Sequence, residues 1–301
     1  MNILITGATG FIGRHLVQRL KQDRHTIKVL SRNGARASQM LGVSAFDWDY
    51  AKEAVPAAAM ENTEAIIHLM GENVGEGRWT QKRKQEIYDS RIISTRKLVA
   101  AAPDNLACLV CGSAIGIYPG QGETVYDETY TISPQNFMQT ICHDWETEAA
   151  QIENKGIRRV SIRTGVVLGH GGMLEKLLPV FKLGLGGPVG HGQQWLPWVH
   201  IDDLVSVYIA ATLDSRYHGP VNAVSPNPVR YREFATALGK ALHRPAFFPT
   251  PAFVLRLALG EAADLALNSY HIVPTRLLQE YAFQFKFAEL PIALENLFGN
   301  D

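Results

Sequence analysis

The stretch Met1-Asn-Ile-Leu-Ile-Thr-Gly-Ala-Thr-Gly-Phe-Ile-Gly13 sets an apolar run directly before three glycines spaced three apart. Asn2–Thr6 reads as a short buried strand, and the amphipathic segment Phe11–Lys21 reads as the helix that follows it. Between them Gly7 permits a tight turn, Gly10 lets the backbone come close to a ligand, and Gly13 lets helix and strand pack closely. The amides at the start of such a helix carry partial positive charge and attract a diphosphate. Gly7, Gly10, Phe11, Ile12 and Gly13 are therefore expected to bind a dinucleotide. The other reading is a tight strand-to-helix turn with no ligand.

The end of the second strand, Thr26–Ser31, indicates which dinucleotide. An NAD site places Asp or Glu there to hold the ribose hydroxyls. Here the residues are Ser31-Arg32, with Arg36 near by. A carboxylate would repel a 2′-phosphate, whereas a hydroxyl and a guanidinium bind one. Ser31 and Arg32 thus point to NADP(H), against the alternative of an arginine solvated in a loop.

Outward from this unit, strand-like and helix-like segments alternate through the first half of the chain. Further strands are expected at Val43–Phe46, Ala65–Met70, Leu106–Cys111 and Arg159–Arg163. Helices are expected at Gln81–Ala101, Thr140–Glu153 and Asp203–Leu213. The pattern implies an α/β fold, a Rossmann-type doubly wound parallel sheet buried on both faces. A smaller C-terminal substrate lobe follows, with helices expected at Tyr231–Leu242 and Phe253–Leu267. The division is residues 1–170 for the cofactor domain and 171–301 mainly for the lobe, with 198–224 returning to the first domain. Tyr281–Phe287 alternates aromatic with small or polar residues and reads as a half-buried strand.

The 301 residues carry 29 basic and 29 acidic side chains, so the formal net charge is zero. That balance argues against a nucleic-acid partner. No apolar run reaches spanning length, which argues against a membrane and leaves a cytoplasmic setting as the expectation. Cys108 and Cys111 form a C-x-x-C string, but within a strand they point to opposite faces and cannot share a metal or a disulfide. No metal site is expected.

Taken in order, further strings narrow the reading. They are His68-Leu-Met-Gly-Glu72, Arg78-Trp79, Ser113-Ala-Ile-Gly116, Asp144-Trp-Glu146 and Arg163-Thr-Gly-Val-Val-Leu-Gly169. Downstream come Leu183-Gly-Leu-Gly-Gly-Pro188, Leu196-Pro-Trp-Val-His-Ile-Asp-Asp203 and Val224-Ser-Pro226. With the opening glycines, they resemble an atypical extended short-chain dehydrogenase/reductase of the epimerase family, within the NAD-dependent epimerase/dehydratase superfamily. The resemblance covers essentially the whole chain. It implies that Leu69, Met70 and Gly71 line the adenosine side of the cofactor. It also implies that Glu86 and Arg91 reach its phosphate and ribose region, and that Val167 touches the nicotinamide.

Extended reductases work with an Asn–Ser/Thr–Tyr–Lys tetrad, the tyrosine exchanging a proton while hydride moves at nicotinamide. Aligned on Glu146, the lysine position holds Cys142 and the tyrosine position Met138. The asparagine position holds Arg91, and Ser113 alone remains. The expected activity is an NADP(H)-dependent oxidoreductase or epimerase-like reaction on a small or nucleotide-linked substrate, with a non-standard proton donor. The alternative is an NADPH-sensing or scaffolding protein without turnover. Ser113 and Tyr118 are the catalytic candidates, although Tyr118 could equally pack beside the cofactor. Glu72, His143 and His200 are further candidates, each with a structural alternative: holding a loop, solvating a helix face, or leading into a helix capped by Asp202. The glycine-rich stretch with Trp195 and Trp198 either lines the substrate lobe or forms a surface loop with two packing indoles.

Overall fold

A computed structural model describes residues 1–299. Seven parallel strands form the central sheet: β1 (Asn2–Thr6), β2 (Thr26–Ser31), β3 (Ser44–Asp47), β4 (Ala65–His68), β5 (Cys108–Ala114), β6 (Arg158–Thr164) and β7 (Gly219–Ala223). Their order across the sheet is 3-2-1-4-5-6-7. Every neighbouring pair is parallel. The order reverses between β1 and β4, and open α/β sheets hold their ligands at such a point, beyond the carboxyl ends of the strands.

Helices cover both faces because the strands are apolar on both. Ile3 and Ile5 of β1 join one core cluster, while Leu4 joins the other. Cys108 and Cys111 divide between the two clusters in the same way, as strand alternation requires. Helices α1 (Phe11–Gln22), α2 (Gly34–Leu41), α3 (Gln81–Ala101) and α4 (Phe137–Ala150) belong to this layer system. Helix α4 starts three residues before the expected Thr140, because the Asn136 side chain accepts from the Gln139 amide and caps it there.

After β6 the chain leaves the sheet through α5 (Gly172–Lys182) and returns with α6 (Ile201–Leu213) and β7. The C-terminal lobe is then built on α5, α7 (Tyr231–Ala241), α8 (Ala252–Leu259) and α9 (Leu290–Phe298), with α5, α7 and α9 sharing one core.

Two expectations fail here. The helix expected over Phe253–Leu267 is broken at Gly260, which adopts φ +60°, a conformation costly for other residues inside a helix. A 3₁₀ turn (Gly260–Ala263) and a short helix (Asp264–Leu267) follow the break. The strand expected over Tyr281–Phe287 is also absent, since this segment pairs with no strand. It is irregular, with Ala282 at φ +48°, and the Lys286 and Phe287 amides donate to the two carboxylate oxygens of buried Asp203 at 2.8 and 2.9 Å. Its alternating aromatics pack on the core without a sheet ladder, Tyr281, Phe283 and Phe285 on one cluster and Phe287 on another.

Candidate cofactor and active site

The cleft floor begins at the glycine turn. Gly7 has φ +70°, and a Cβ there would lie 2.8 Å from the Leu69 carbonyl. The Gly10 amide closes the turn onto the Gly7 carbonyl at 3.0 Å. Gly13 packs so closely on Gly7 and Ala8 that any side chain would displace that backbone. Gly10 is the N-cap of α1, no side chain caps the helix, and its first turn holds no acidic residue. The free amides and the absence of a competing carboxylate make a binding place for an anion.

At the end of β2, Ser31 is half-buried and Arg32 and Arg36 are exposed. Neither guanidinium makes a hydrogen bond or ion pair among the described residues. Asp47, beside Ser31 in register, is exposed and accepts the Gly34 amide at 2.7 Å. The second-strand corner therefore carries two free guanidiniums and one hydroxyl, with the Asp47 carboxylate tied to the turn.

Phe11, Ile12, Leu69 and Val167 border one apolar cluster, and Met70 borders the other. Beneath them the Thr6 hydroxyl sits 2.6 Å from His68 Nδ1, and His68 Nε2 sits 3.0 Å from Thr95 Oγ1. Thr95 gives its own proton to the Arg91 carbonyl, so His68 carries its proton on Nε2. Burial, reinforced by the Arg91 charge, drops the His68 pKa to about 3, and the ring is neutral. The same Thr6 oxygen accepts from the Met70 amide at 3.3 Å, joining β1 to the end of β4 at the crevice.

Arg91 packs on Gly71, where a Cβ would meet its Cζ at 2.8 Å. Its guanidinium donates to the carbonyls of Ile87 (3.0 Å) and Glu72 (3.1 Å) and lies over Trp145. No carboxylate pairs with it among the described residues, and burial lowers its pKa. Glu86 and Glu72 both accept from Arg83, at 3.2 and 3.0 Å, and Arg83 also holds the Asn73 carbonyl. Glu72 thus fixes the loop after β4, and Lys176 of α5 donates to Gly75 of that loop at 2.7 Å.

The carboxyl ends of β5 and β6 carry a different arrangement. Ser113 and Arg163 are register partners on these adjacent strands. Both are bound by Glu146 of α4. Ser113 donates to Oε1 at 2.7 Å, and Arg163 donates through Nε and Nη2 at 2.8 Å each. Burial alone would weaken the Arg163 charge, but the Glu146 carboxylate beside it raises its pKa above the usual arginine value.

Arg163 also donates to the Tyr118 hydroxyl, which lies 2.8 Å from Asn222 Oδ1 and 3.0 Å from the Asp127 carbonyl. Tyr118 is fully buried, and burial pushes its phenol up to about 12 against the pull of Arg163. Met138 and Cys142 face Gly116. The Cys142 thiol, buried and near Glu146, is pushed up to about 12. His143 is half-exposed with Nδ1 3.1 Å from Asp144 Oδ1. His200, not Asp202, caps α6: its Nδ1 accepts the Asp202 amide at 3.1 Å.

The first 220 positions and the C-terminal segment each match known families. Residues 3–222 match the model of the NAD dependent epimerase/dehydratase family, and residues 250–297 match a domain of unknown function, DUF1731. The chain belongs to the NAD dependent epimerase/dehydratase family. Within it, the chain is 39% identical to the chloroplastic epimerase family protein SDR39U1 homolog of Arabidopsis thaliana, covering 98% of this chain and 86% of that one. It is 35% identical to the epimerase family protein YfhF of Bacillus subtilis, covering 100% and 99%. Among solved structures, human epimerase family protein SDR39U1, crystallised with NADPH, superposes over the whole of both chains with TM-score 0.90 at 33% identity.

For this member of the epimerase family, the structure places the glycine turn, the Ser31–Arg32 corner and Leu69–Gly71 at the carboxyl ends of β1, β2 and β4, with Arg91 against Gly71 and with Val167 against the apolar cluster that Phe11 and Leu69 border. Ser113 and Tyr118 are joined through Glu146 and Arg163. In the sequence Glu146 marks only the helix register and Arg163 only a string, and nothing there signals that they pair. Nor does anything there signal the Thr6–His68–Thr95 support under the crevice.

Trp198 is buried in the lobe core, and Trp195 is sandwiched between Arg230 and His271, so both indoles pack rather than line an open wall. A pocket of about 70 Å³ lies between the lobes, bounded by Trp79, Phe137 and Met138 on one side and Asp264, Leu265 and Tyr270 on the other. A groove of about 670 Å³ runs between α7 and α9 and touches none of the expected cofactor residues. No described helix is long and apolar enough to cross a membrane.

Proposed function

We propose that the chain binds NADP(H) in the crevice between β1 and β4 and uses it in an oxidoreductase or epimerase-like reaction on a small ligand held between the lobes. The observation that carries the cofactor reading is the pairing of an uncapped, acid-free helix start at Gly10 with the unpaired Arg32 at the end of β2. Gly7, Gly10, Phe11, Ile12 and Gly13 would hold the diphosphate and Ser31 and Arg32 the 2′-phosphate. Leu69, Met70 and Gly71 would line the adenosine side, Arg91 would offer a buried cation to the ribose-phosphate region, and Val167 would face the nicotinamide. Glu86, engaged by Arg83, stands at the edge of this set. The human relative crystallised with NADPH supports the same choice. A cytoplasmic setting belongs to the proposal and is consistent with three cysteines that are all free and buried.

Bound nicotinamide supplies hydride exchange. The chain's own residues keep the crevice floor neutral and rigid through His68, and hold the Ser113 hydroxyl toward Glu146. We assign Tyr118 a positioning role, because its buried phenol is shared among Arg163, Asn222 and Asp127. The same features favour a second reading, an NADPH-binding protein without turnover, since Met138 and Cys142 provide no accessible proton donor.

The test is NADPH consumption against a panel of carbonyl compounds and nucleotide sugars. Turnover with any member supports the enzyme. Tight NADPH retention with no consumption across the panel supports the sensor.

A further inference from the structure

The pocket between the lobes holds a hydroxyl that the protein itself leaves unused. Tyr270, just after the short helix Asp264–Leu267, is 8% exposed, yet its phenol donates to no group among the described residues. Its one side-chain contact is as an acceptor, from Asn268 Nδ2 at 3.5 Å. The buried Tyr118 phenol, by contrast, has Asn222 Oδ1 and the Asp127 carbonyl to donate to. Burial raises the Tyr270 pKa, so this phenol keeps its proton at neutral pH. The loop after β5 makes way for the ring: Gly120 has φ +67°, and a Cβ there would come within 2.6 Å of it. A buried donor without an acceptor costs stability, and an acceptor brought by a ligand removes that cost.

The walls of the pocket define the ligand's chemistry. Trp79 and Phe137 stand edge to face with ring centroids 5.3 Å apart, and they line it together with Leu265 and Tyr270. These are flat apolar surfaces suited to a ring. Counted at ~10–15 Å³ per water, about 70 Å³ is room for roughly five waters, or for one ring with a small substituent. Met138, at the family's tyrosine position, lines the same space and packs in one cluster with Tyr270 and Cys142. The two carboxylates of the lining, Glu261 and Asp264, are answered by Lys84 at 2.6 Å and Arg256 at 3.1 Å. Among the described residues that line the pocket none is cationic; Arg78 lies outside the lining, exposed, against Gly260. A diphosphate is held by guanidinium and ammonium groups, and carboxylates repel it.

Building on the reading of a small ligand held between the lobes, we propose that this pocket takes an uncharged aryl carbonyl compound and not a nucleotide sugar. The ring lies among Trp79, Phe137 and Leu265, and the carbonyl oxygen accepts from the Tyr270 hydroxyl. The phenol that position 138 lacks is thereby supplied from the C-terminal lobe, as the donor to the ligand's oxygen.

Ligand-observed NMR titration of the full chain tests this with two probes, acetophenone and α-methylstyrene. They share one shape, but the second has a methylene in place of the oxygen. Tyr270→Phe keeps the ring and removes only the hydroxyl. It should weaken acetophenone binding roughly 3–10-fold, the worth of one donated hydrogen bond, and change α-methylstyrene binding less than ~2-fold. A phenol with a purely structural role would shift both probes alike, and that result overturns the proposal. Leu265→Trp, which fills the pocket, should abolish binding of both probes; retained binding places them elsewhere and overturns it too. So does the absence of acetophenone binding to the wild type up to ~10 mM, or UDP-glucose binding that is tighter than acetophenone and lost in Leu265→Trp. NADP⁺ affinity is measured separately by calorimetry on the same proteins. A failure of the cofactor reading shows there and leaves the comparison of the two probes standing.

Discussion

The carboxyl ends of β1 and β5 lie in one sheet and treat their polar groups in opposite ways. At β1 the helix start is left uncapped and the nearby Arg32 is left without a partner. At β5 the protein satisfies itself: Ser113, Glu146, Arg163, Tyr118 and Asn222 form one closed chain of hydrogen bonds. Unsatisfied donors at a surface crevice are what a ligand needs, whereas a closed buried network specifies and stiffens a fold. The difference separates holding a cofactor from moving a proton. The first is built to receive something, and the second has been turned inward.

Breaking the closed side should give the largest effect on stability. Glu146→Ala leaves the Arg163 guanidinium, 5% exposed, without its carboxylate and should cost about 3–5 kcal/mol in urea unfolding. Replacing both partners, Glu146→Leu with Arg163→Met, should recover most of that loss. A double variant no better than the single one would mean that the pair is not the unit.

Next is the open side. Gly7→Ala forces a side chain into φ +70° against the Leu69 carbonyl. It should cost about 1–3 kcal/mol and weaken NADPH binding, read by thermal unfolding and calorimetric titration. Tyr118→Phe should cost about 1–3 kcal/mol by stranding its buried partners and leave NADPH affinity unchanged. Lost affinity or turnover without lost stability would instead assign the phenol to the chemistry.

The most gradual effect concerns pH. Folding keeps His200 and His68 neutral, with pKa values near 4 and 3 against an ordinary 6.5, burial being the main cause. The unfolded chain therefore takes up more protons below pH 6.5, and stability should fall on acidification from 6.5 toward 4. The slope is at most ~1.4 kcal/mol per pH unit for each ring. His200→Asn preserves a helix cap and should flatten the slope measured by urea unfolding between pH 7 and 5; an unchanged slope would remove His200 from the account.

The open side was legible in the sequence because its constraints are local. Gly7 needs a positive φ, Gly13 needs close packing, and both lie within a few residues of the strand they serve. The sheet was legible for a similar reason, since the central strands β1, β4 and β5 are buried on both faces and read as apolar runs. The closed side depends on register. Ser113 and Arg163 become neighbours only when β5 and β6 align, and Glu146 reaches them from a helix. Nothing in the spacing of three residues on three elements announces that contact. Tyr281–Phe287 misled because a segment without strand pairing can still bury every second side chain, just as a strand does. His200 was passed over as a cap because histidine is a rare one, while the neighbouring Asp202 is the commoner type.

The unpaired Arg32 at the open side is the residue that selects the cofactor in the proposed function. Calorimetric titration of the wild type and Arg32→Asp with NADPH and NADH tests it. Replacing the guanidinium by a carboxylate should weaken NADPH binding at least ~10-fold, as expected for losing a charge-assisted contact to the 2′-phosphate, and leave NADH binding far less affected. Equal losses for the two cofactors would contradict it.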